Sequence, residues 1–139
     1  MATGTAGGVA REYHTHQVHY VRKYFTFADA GETLNVGDPM PEGHCVIDAG
    51  IVVIEVFNAG TNNRADLGTE DDTDDFGTDL SLLTKGRIVG DELATSDNLY
   101  STSRKQVQVV VDVTVTAATT GKAIAYVAFT VPEGLVGSS

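Results

Sequence analysis

The stretch RADLGTEDDTDDFGTDLS, residues 64–81, sets seven carboxylates (Asp66, Glu70, Asp71, Asp72, Asp74, Asp75, Asp79) behind Arg64. Three chemistries use clustered acids: calcium binding, general acid–base catalysis, and solvation of a bend between strands. An EF-hand loop needs D-x-[DN]-x-[DN]-G and a closing glutamate between two helices. With Asp71, Thr73 and Asp75 as the alternating ligands, Gly77 falls one residue late, and the closing glutamate is missing. Weak calcium binding through Asp72, Asp74 and Asp75 stays open for the acidic loop 70–79. Paired-carboxylate catalysis needs two acids held apart on rigid elements, one with its pKa raised by burial. Seven acids in a Gly- and Thr-rich stretch read instead as a water-exposed loop or short helix. A second cluster, HTHQVH, brings His14, His16 and His19 together. On a strand, residues i and i+2 share a side, so His14 and His16 could clamp one metal while His19 faces away. The nearest carboxylate is Glu12, and a polar arm lying on a neighbouring protein is the preferred reading. The single cysteine, Cys45, excludes an intrachain disulfide and a cysteine-based zinc site, and it reads as a small buried hydrophobe. Neither G-x-S-x-G nor G-x-x-x-x-G-K-[ST] occurs. No catalytic, cofactor or metal residue is therefore assigned, and the chain is not expected to be an enzyme.

The elements that must position these groups are strands. In QVQVVVDVTVT, 106–116, Val107, Val109, Val111, Val113 and Val115 fall on one parity. Polar residues hold the other parity except at Val110, which is the pattern of a half-buried antiparallel strand. After AATTGK, the run AIAYVAFTV, 123–131, alternates again with Ala123, Ala125, Val127, Phe129 and Val131 on one side. The two runs are expected to pair as a long hairpin. IVVIEVFN, 51–58, is apolar on both parities, so it reads as a central strand or one whose outer face another subunit covers. Cys45–Ile47, 19–29, 33–36, 64–68, 80–83, 87–89 and 97–100 are further strand candidates, and 73–86 could hold one or two helical turns capped by Asp or Thr. Arg104 and Lys105 sit at a strand start, where charge discourages strand addition. No longer helical period and no internal repeat is visible.

One domain of 139 residues is expected, divided into an N-terminal lead and arm (1–20) and a single β-sandwich (21–139). No apolar run of about 18 residues is present, so no membrane span is expected. The first twenty residues lack a basic segment followed by an apolar one, so no signal peptide is expected either. Nineteen acids against nine bases give a net charge of −10, which argues against nucleic acid as partner. The bases gather at one end: 11–24 holds Arg11, Arg22, Lys23 and three histidines against Glu12. That end could meet an acidic partner.

Several turns and strands together resemble the small head decoration, or cement, proteins of tailed phages. The matching positions are Met40-Pro41-Glu42-Gly43, Phe57-Asn58-Ala59-Gly60-Thr61, Leu67-Gly68-Thr69, Asp72-Thr73-Asp74-Asp75-Phe76 and the strands 106–116 and 123–131. The resemblance covers roughly 36–131, and REYHTHQVHYVRK is its least typical part. It implies an all-β, jelly-roll-like antiparallel sandwich with an extended N-terminal arm. It further implies a homotrimer on the exterior of the virion capsid, made in the host cytoplasm, that binds the major capsid protein and stabilises the head. No cofactor, membrane or nucleic acid is implied. Capsid contact falls to Arg11, His14, His16, Tyr20 and Arg22, and trimer contact to the outer parity Val52, Ile54 and Val56. A tail or fibre component and a calcium-dependent carbohydrate-binding sandwich are the alternatives. The second is weakened by the absence of Trp.

Overall fold

The computed structural model describes residues 17–114 and 118–132. Among the described residues, nine strands form two antiparallel sheets packed face to face. The strands are β1 (His19–Thr26), β2 (Thr33–Asn35), β3 (His44–Glu55), β4 (Asn63–Thr69), β5 (Gly77–Ser81), β6 (Gly86–Val89), β7 (Tyr100–Ser101), β8 (Val107–Val113) and β9 (Lys122–Thr130). One sheet runs β1-β9-β3-β6, with β7 added on β3, and the other runs β2-β8-β4-β5. The expected all-β antiparallel sandwich is therefore what forms. The one helical element among the described residues is a 3₁₀ turn, Phe27–Asp29. Its capping box is built by Thr26 and Asp29.

Alternation explains the core. Val107, Val109, Val111 and Val113 of β8 point inward, as do Ala123, Ala125, Val127 and Phe129 of β9. Ile51 and Val53 of β3 and Ala65 and Leu67 of β4 meet them, and Phe25, Phe57, Phe76, Met40 and Leu82 close the ends. Each fully buried side chain of this size contributes about 1.5–3 kcal/mol relative to exposure.

Three expectations are corrected. The two strongest strands do not pair with each other. β8 lies between β2 and β4, while β9 lies between β1 and β3 in the opposite sheet. Period two reports that one face is buried; it is blind to which strand lies alongside. The described end of the connection, 118–121, is pinned to the end of β3 and the residues after it. Asn58 Oδ1 accepts from the backbone N–H of Thr119 (2.9 Å) and of Thr120 (3.0 Å), and Glu55 Oε1 accepts from Gly121 N–H at 3.0 Å. Gly121 has φ +145°, and a Cβ there would stand 2.5 Å from the Phe57 ring.

Second, the separate runs 45–47 and 51–58 are largely one 12-residue strand, β3. Its pairing with β9 shifts register between Val46 and Asp48 and again between Val53 and Glu55. The first bulge moves the inward parity from His44 and Val46 to Ala49, Ile51 and Val53. A bulge inserts one unpaired residue and flips the side-chain alternation. Third, 73–86 holds no helical turn. It forms the tail of a tight bend, strand β5 and a further turn.

Candidate interaction face

The outward parity of the five-stranded sheet is unusually apolar. Register places the residues in rows across it. Tyr24, Ile124, Val52 and Arg87 form one row, and Arg22, Tyr126, Gly50 and Val89 the next. Tyr20, Ala128 and Asp48 follow. Ile54 projects from the bulge at the end of β3. Tyr20 is 68% exposed, Tyr24 51%, Val89 47% and Ile54 42%. Single exposed apolar residues need no explanation, but a contiguous set across four strands marks an interaction surface. Tyr20, Arg22, Val52, Ile124 and Tyr126 surround a hollow of about 520 Å³ in the middle of this face.

One wall of the hollow is held rigid. Arg87 donates from Nε to the Tyr126 hydroxyl at 2.6 Å, and its Nη2 pairs with Asp48 Oδ2. The Tyr126 hydroxyl in turn lies 3.4 Å from Asp48 Oδ2, and the Arg87 guanidinium carbon is 5.7 Å from the Tyr126 ring centre. Burial pushes the Tyr126 phenol above its ordinary pKa, so the hydroxyl keeps its proton. Hydrogen bonds to Tyr126 and Asp48 push the Arg87 pKa up. Gly50 makes the arrangement possible: a Cβ there would meet Ile88 O at 2.3 Å and the Tyr126 hydroxyl at 3.0 Å.

The sheet edges offer little for strand addition. β2 and β6 are three and four residues long. β5 carries Asp79 at φ 51°, which breaks its extended course. The long edge strand β1 places Lys23 opposite Ala125 on the inward parity. Short edges, kinks and inward charges all discourage edge-to-edge pairing.

Six of the seven carboxylates of the acidic stretch accept from a described donor. The stretch is the β4–β5 hairpin and its bend. Asp66 accepts from the Asp79 N–H at 2.7 Å, and Glu70 from the Gln106 N–H at 3.0 Å. Asp71 pairs with Lys105, and Asp75 accepts from the Ser96 hydroxyl at 2.9 Å. Asp79 lies 3.2 Å from Arg64. Asp72 accepts from the Asp74 N–H, and a side-chain hydrogen bond with Asp72 raises the Asp74 pKa. Among the described residues, no group of three or more His, Cys, Asp or Glu is placed to hold a metal ion.

Of the residues assigned to contacts from sequence, Tyr20, Arg22 and Val52 come together around the hollow. Ile54 and Val56 sit exposed at the far end of β3 and just beyond it. Arg11, His14 and His16, with the possible histidine metal pair, lie outside the described residues. Cys45 is half-buried where β3 meets β9 and β7. Sequence reading missed Tyr24, Ile124, Tyr126, Arg87 and Val89 on this face. The signal was available for two of them. Ile124 and Tyr126 hold the parity opposite to Ala123 and Ala125, and an amphipathic strand would carry polar residues there. Also unforeseen is His44, fully buried, whose Nδ1–H donates to Pro41 O at 2.8 Å while Nε2 has no partner. Burial holds its pKa below the ordinary value.

No protein-family model matches the sequence, and no curated protein matches it. The fold has solved counterparts. It is similar to a chain of the cyanophage Pam1 capsid asymmetric unit, with a TM-score of 0.65 and 14% identity over 85% of this chain and 87% of that one. It is also similar to a chain of the acid-stable capsid of Helicobacter pylori bacteriophage KHP30, with a TM-score of 0.58 and 19% identity over 84% of this chain and 90% of that one. At such identities the likeness is one of fold: a two-sheet sandwich shared with chains of two phage capsids.

Proposed function

We propose that this chain is a structural virion protein, a capsid decoration protein that sits as a homotrimer on the outer surface of the major capsid protein shell and stabilises the head. The observation that carries this reading is the apolar outer face of the five-stranded sheet, unpartnered in the single chain. The shared fold with chains of two phage capsids supports it. In this reading Ile54 and Val56 form the trimer contact, while Val52, assigned with them from sequence, lines the hollow beside Tyr20 and Arg22. The basic N-terminal segment with Arg11, His14 and His16, together with Tyr20 and Arg22, meets the capsid. The mechanism is mechanical. Apolar surface withdrawn from water contributes about 25 cal/mol per Å², before association costs. Simultaneous contacts with several capsid subunits multiply through effective concentration.

The experiment is a density map of the intact particle at side-chain resolution, joined to light scattering on the purified chain. Density for this sandwich on the head exterior in groups of three, and a trimeric mass in solution, are the expected results. Density confined to the tail, or a monomer that leaves the heads bare, would remove the proposal.

A further inference from the structure

The hollow on the outer sheet face has a chemistry narrower than general stickiness. Val52, Ile124, Tyr126 and Tyr20 give it an apolar and aromatic lining. The fifth lining residue is Arg22. Arg64, Arg87 and Lys105 each pair with a carboxylate: Arg64 with Asp79 and Asp112, Arg87 with Asp48, and Lys105 with Asp71. The side chain of Arg22, like those of Lys23, Lys85, Arg104 and Lys122, has no ion pair or hydrogen bond among the described residues, and of these five cations Arg22 is the one that lines the hollow. An unpaired guanidinium beside an apolar depression selects two things at once. The depression takes a branched or aromatic side chain, and the guanidinium takes a carboxylate, which it can hold through two parallel N–H···O bonds.

We infer that this hollow is a socket for an apolar side chain next to an aspartate or glutamate, presented by a segment of another virion subunit, with Arg22 as the specificity-determining residue. The inference rests on the proposed structural role and names the chemistry of the partner. A second copy of the same face does not fit. Face-to-face pairing would bring the cationic parts of the two copies together, and the two carboxylates on this parity among the described residues are already engaged, Asp48 by Arg87 and Glu55 by the Gly121 N–H. Like charges brought together across an interface disfavour it. Nor does a polyanion fit, because the acidic remainder of the chain repels it. The rigid Tyr126–Arg87–Asp48 contacts mean the socket is formed before the partner arrives, so less ordering cost falls on binding.

The test is an NMR titration of the full chain with two capped dipeptides, N-acetyl-Leu-Glu-amide and its isostere N-acetyl-Leu-Gln-amide. The acidic peptide is expected to shift the Val52 and Ile124 methyls, the Tyr126 ring and the Arg22 Nε–H. The neutral peptide should bind about tenfold more weakly, the scale of one charge-assisted hydrogen bond. Arg22→Gln should erase the difference between the two peptides, and Ile124→Ala should weaken both. Equal binding of the two peptides would overturn the role of Arg22. Shifts elsewhere, or none up to about 10 mM, well above the roughly millimolar affinity so small a ligand can reach, would overturn the socket. Failure of the broader reading looks different: peptides would still bind while the particle map shows no chain on the head. A chain on the head with this hollow open to solvent would end the socket alone.

Discussion

The two outer faces of the sandwich are built from the same kind of strand and have opposite characters. The face of β2-β8-β4-β5 shows Asn35, Arg64, Asp66, Asp79, Gln108 and Asp112, with Val110 its apolar exception. Its polar groups satisfy one another. Gln108 Nε2 donates to Asn35 Oδ1 at 3.1 Å, and Arg64 Nε donates to Asp112 Oδ2 at 2.7 Å. The face of β1-β9-β3-β6 shows Tyr20, Tyr24, Tyr126, Val52, Ile54, Val89 and Ile124 beside Arg22, Arg87 and Asp48, with a polar row of Thr26, Lys122 and Glu55 at one end. Both sheets bury their inner faces against the same core, so folding of the single chain makes no demand that the second outer face be apolar. Self-satisfied polar groups gain nothing by leaving water, whereas exposed apolar area does. The contrast leaves one outer face self-satisfied in water and the other with apolar area whose burial would be favourable.

The sharpest way to break this contrast is to put a charge on the apolar side. Ile54→Asp is expected to turn trimers into monomers or insoluble chain, read by light scattering; an unchanged trimer would count against a contact through β3. Gly50→Ala comes next. Its Cβ has no room beside Ile88 O and the Tyr126 hydroxyl. We expect a loss of about 1–3 kcal/mol in urea unfolding, the usual cost of overpacking, with displacement of Tyr126 and a weakened socket. Unaltered stability would mean that β6 yields easily.

A smaller effect comes from inside. The folded state holds the His44 pKa low, so the unfolded chain takes up the proton first. Its contribution is full above about pH 6.5, the unfolded value, and is lost as pH falls towards the folded pKa. The groups facing it are the Pro41 carbonyl, the edge of the Phe129 ring and, at longer range, the cationic Lys105. Urea midpoints at pH 7.5 and 5 should differ more in the native chain than in His44→Gln; equal differences would assign the acid loss to other groups. The smallest effect is expected on the polar face. Asp112→Asn removes an exposed partner of Arg64, and such pairs are screened and weak. Assembly should be untouched and the unfolding midpoint nearly so. A lost trimer in that variant would show that the polar face is an interface too.

Much of this was legible in the residues alone. Strict alternation in 107–113 and 123–129 announced two half-buried strands, because a strand packed on one side must send every second residue inward. The failed calcium spacing in 70–79 and its Gly- and Thr-rich setting pointed to a bend, and in the structure it is the bend of the β4–β5 hairpin, with Glu70, Asp71 and Asp75 holding Gln106, Lys105 and Ser96. The two-faced apolarity of 51–58 read as a central strand or one covered by another subunit, and β3 lies between β9 and β6. Tertiary structure alone decided the rest. Whether β8 and β9 pair in one sheet or face each other across the core depends on neighbours far along the chain, and the local period is the same in both cases. The bulge at Ile47 is likewise a matter of register with β9. The socket, too, gathers Tyr20, Arg22, Val52, Ile124 and Tyr126 from three strands. Their adjacency is set by hydrogen-bonded register between segments about a hundred residues apart, which no local pattern encodes.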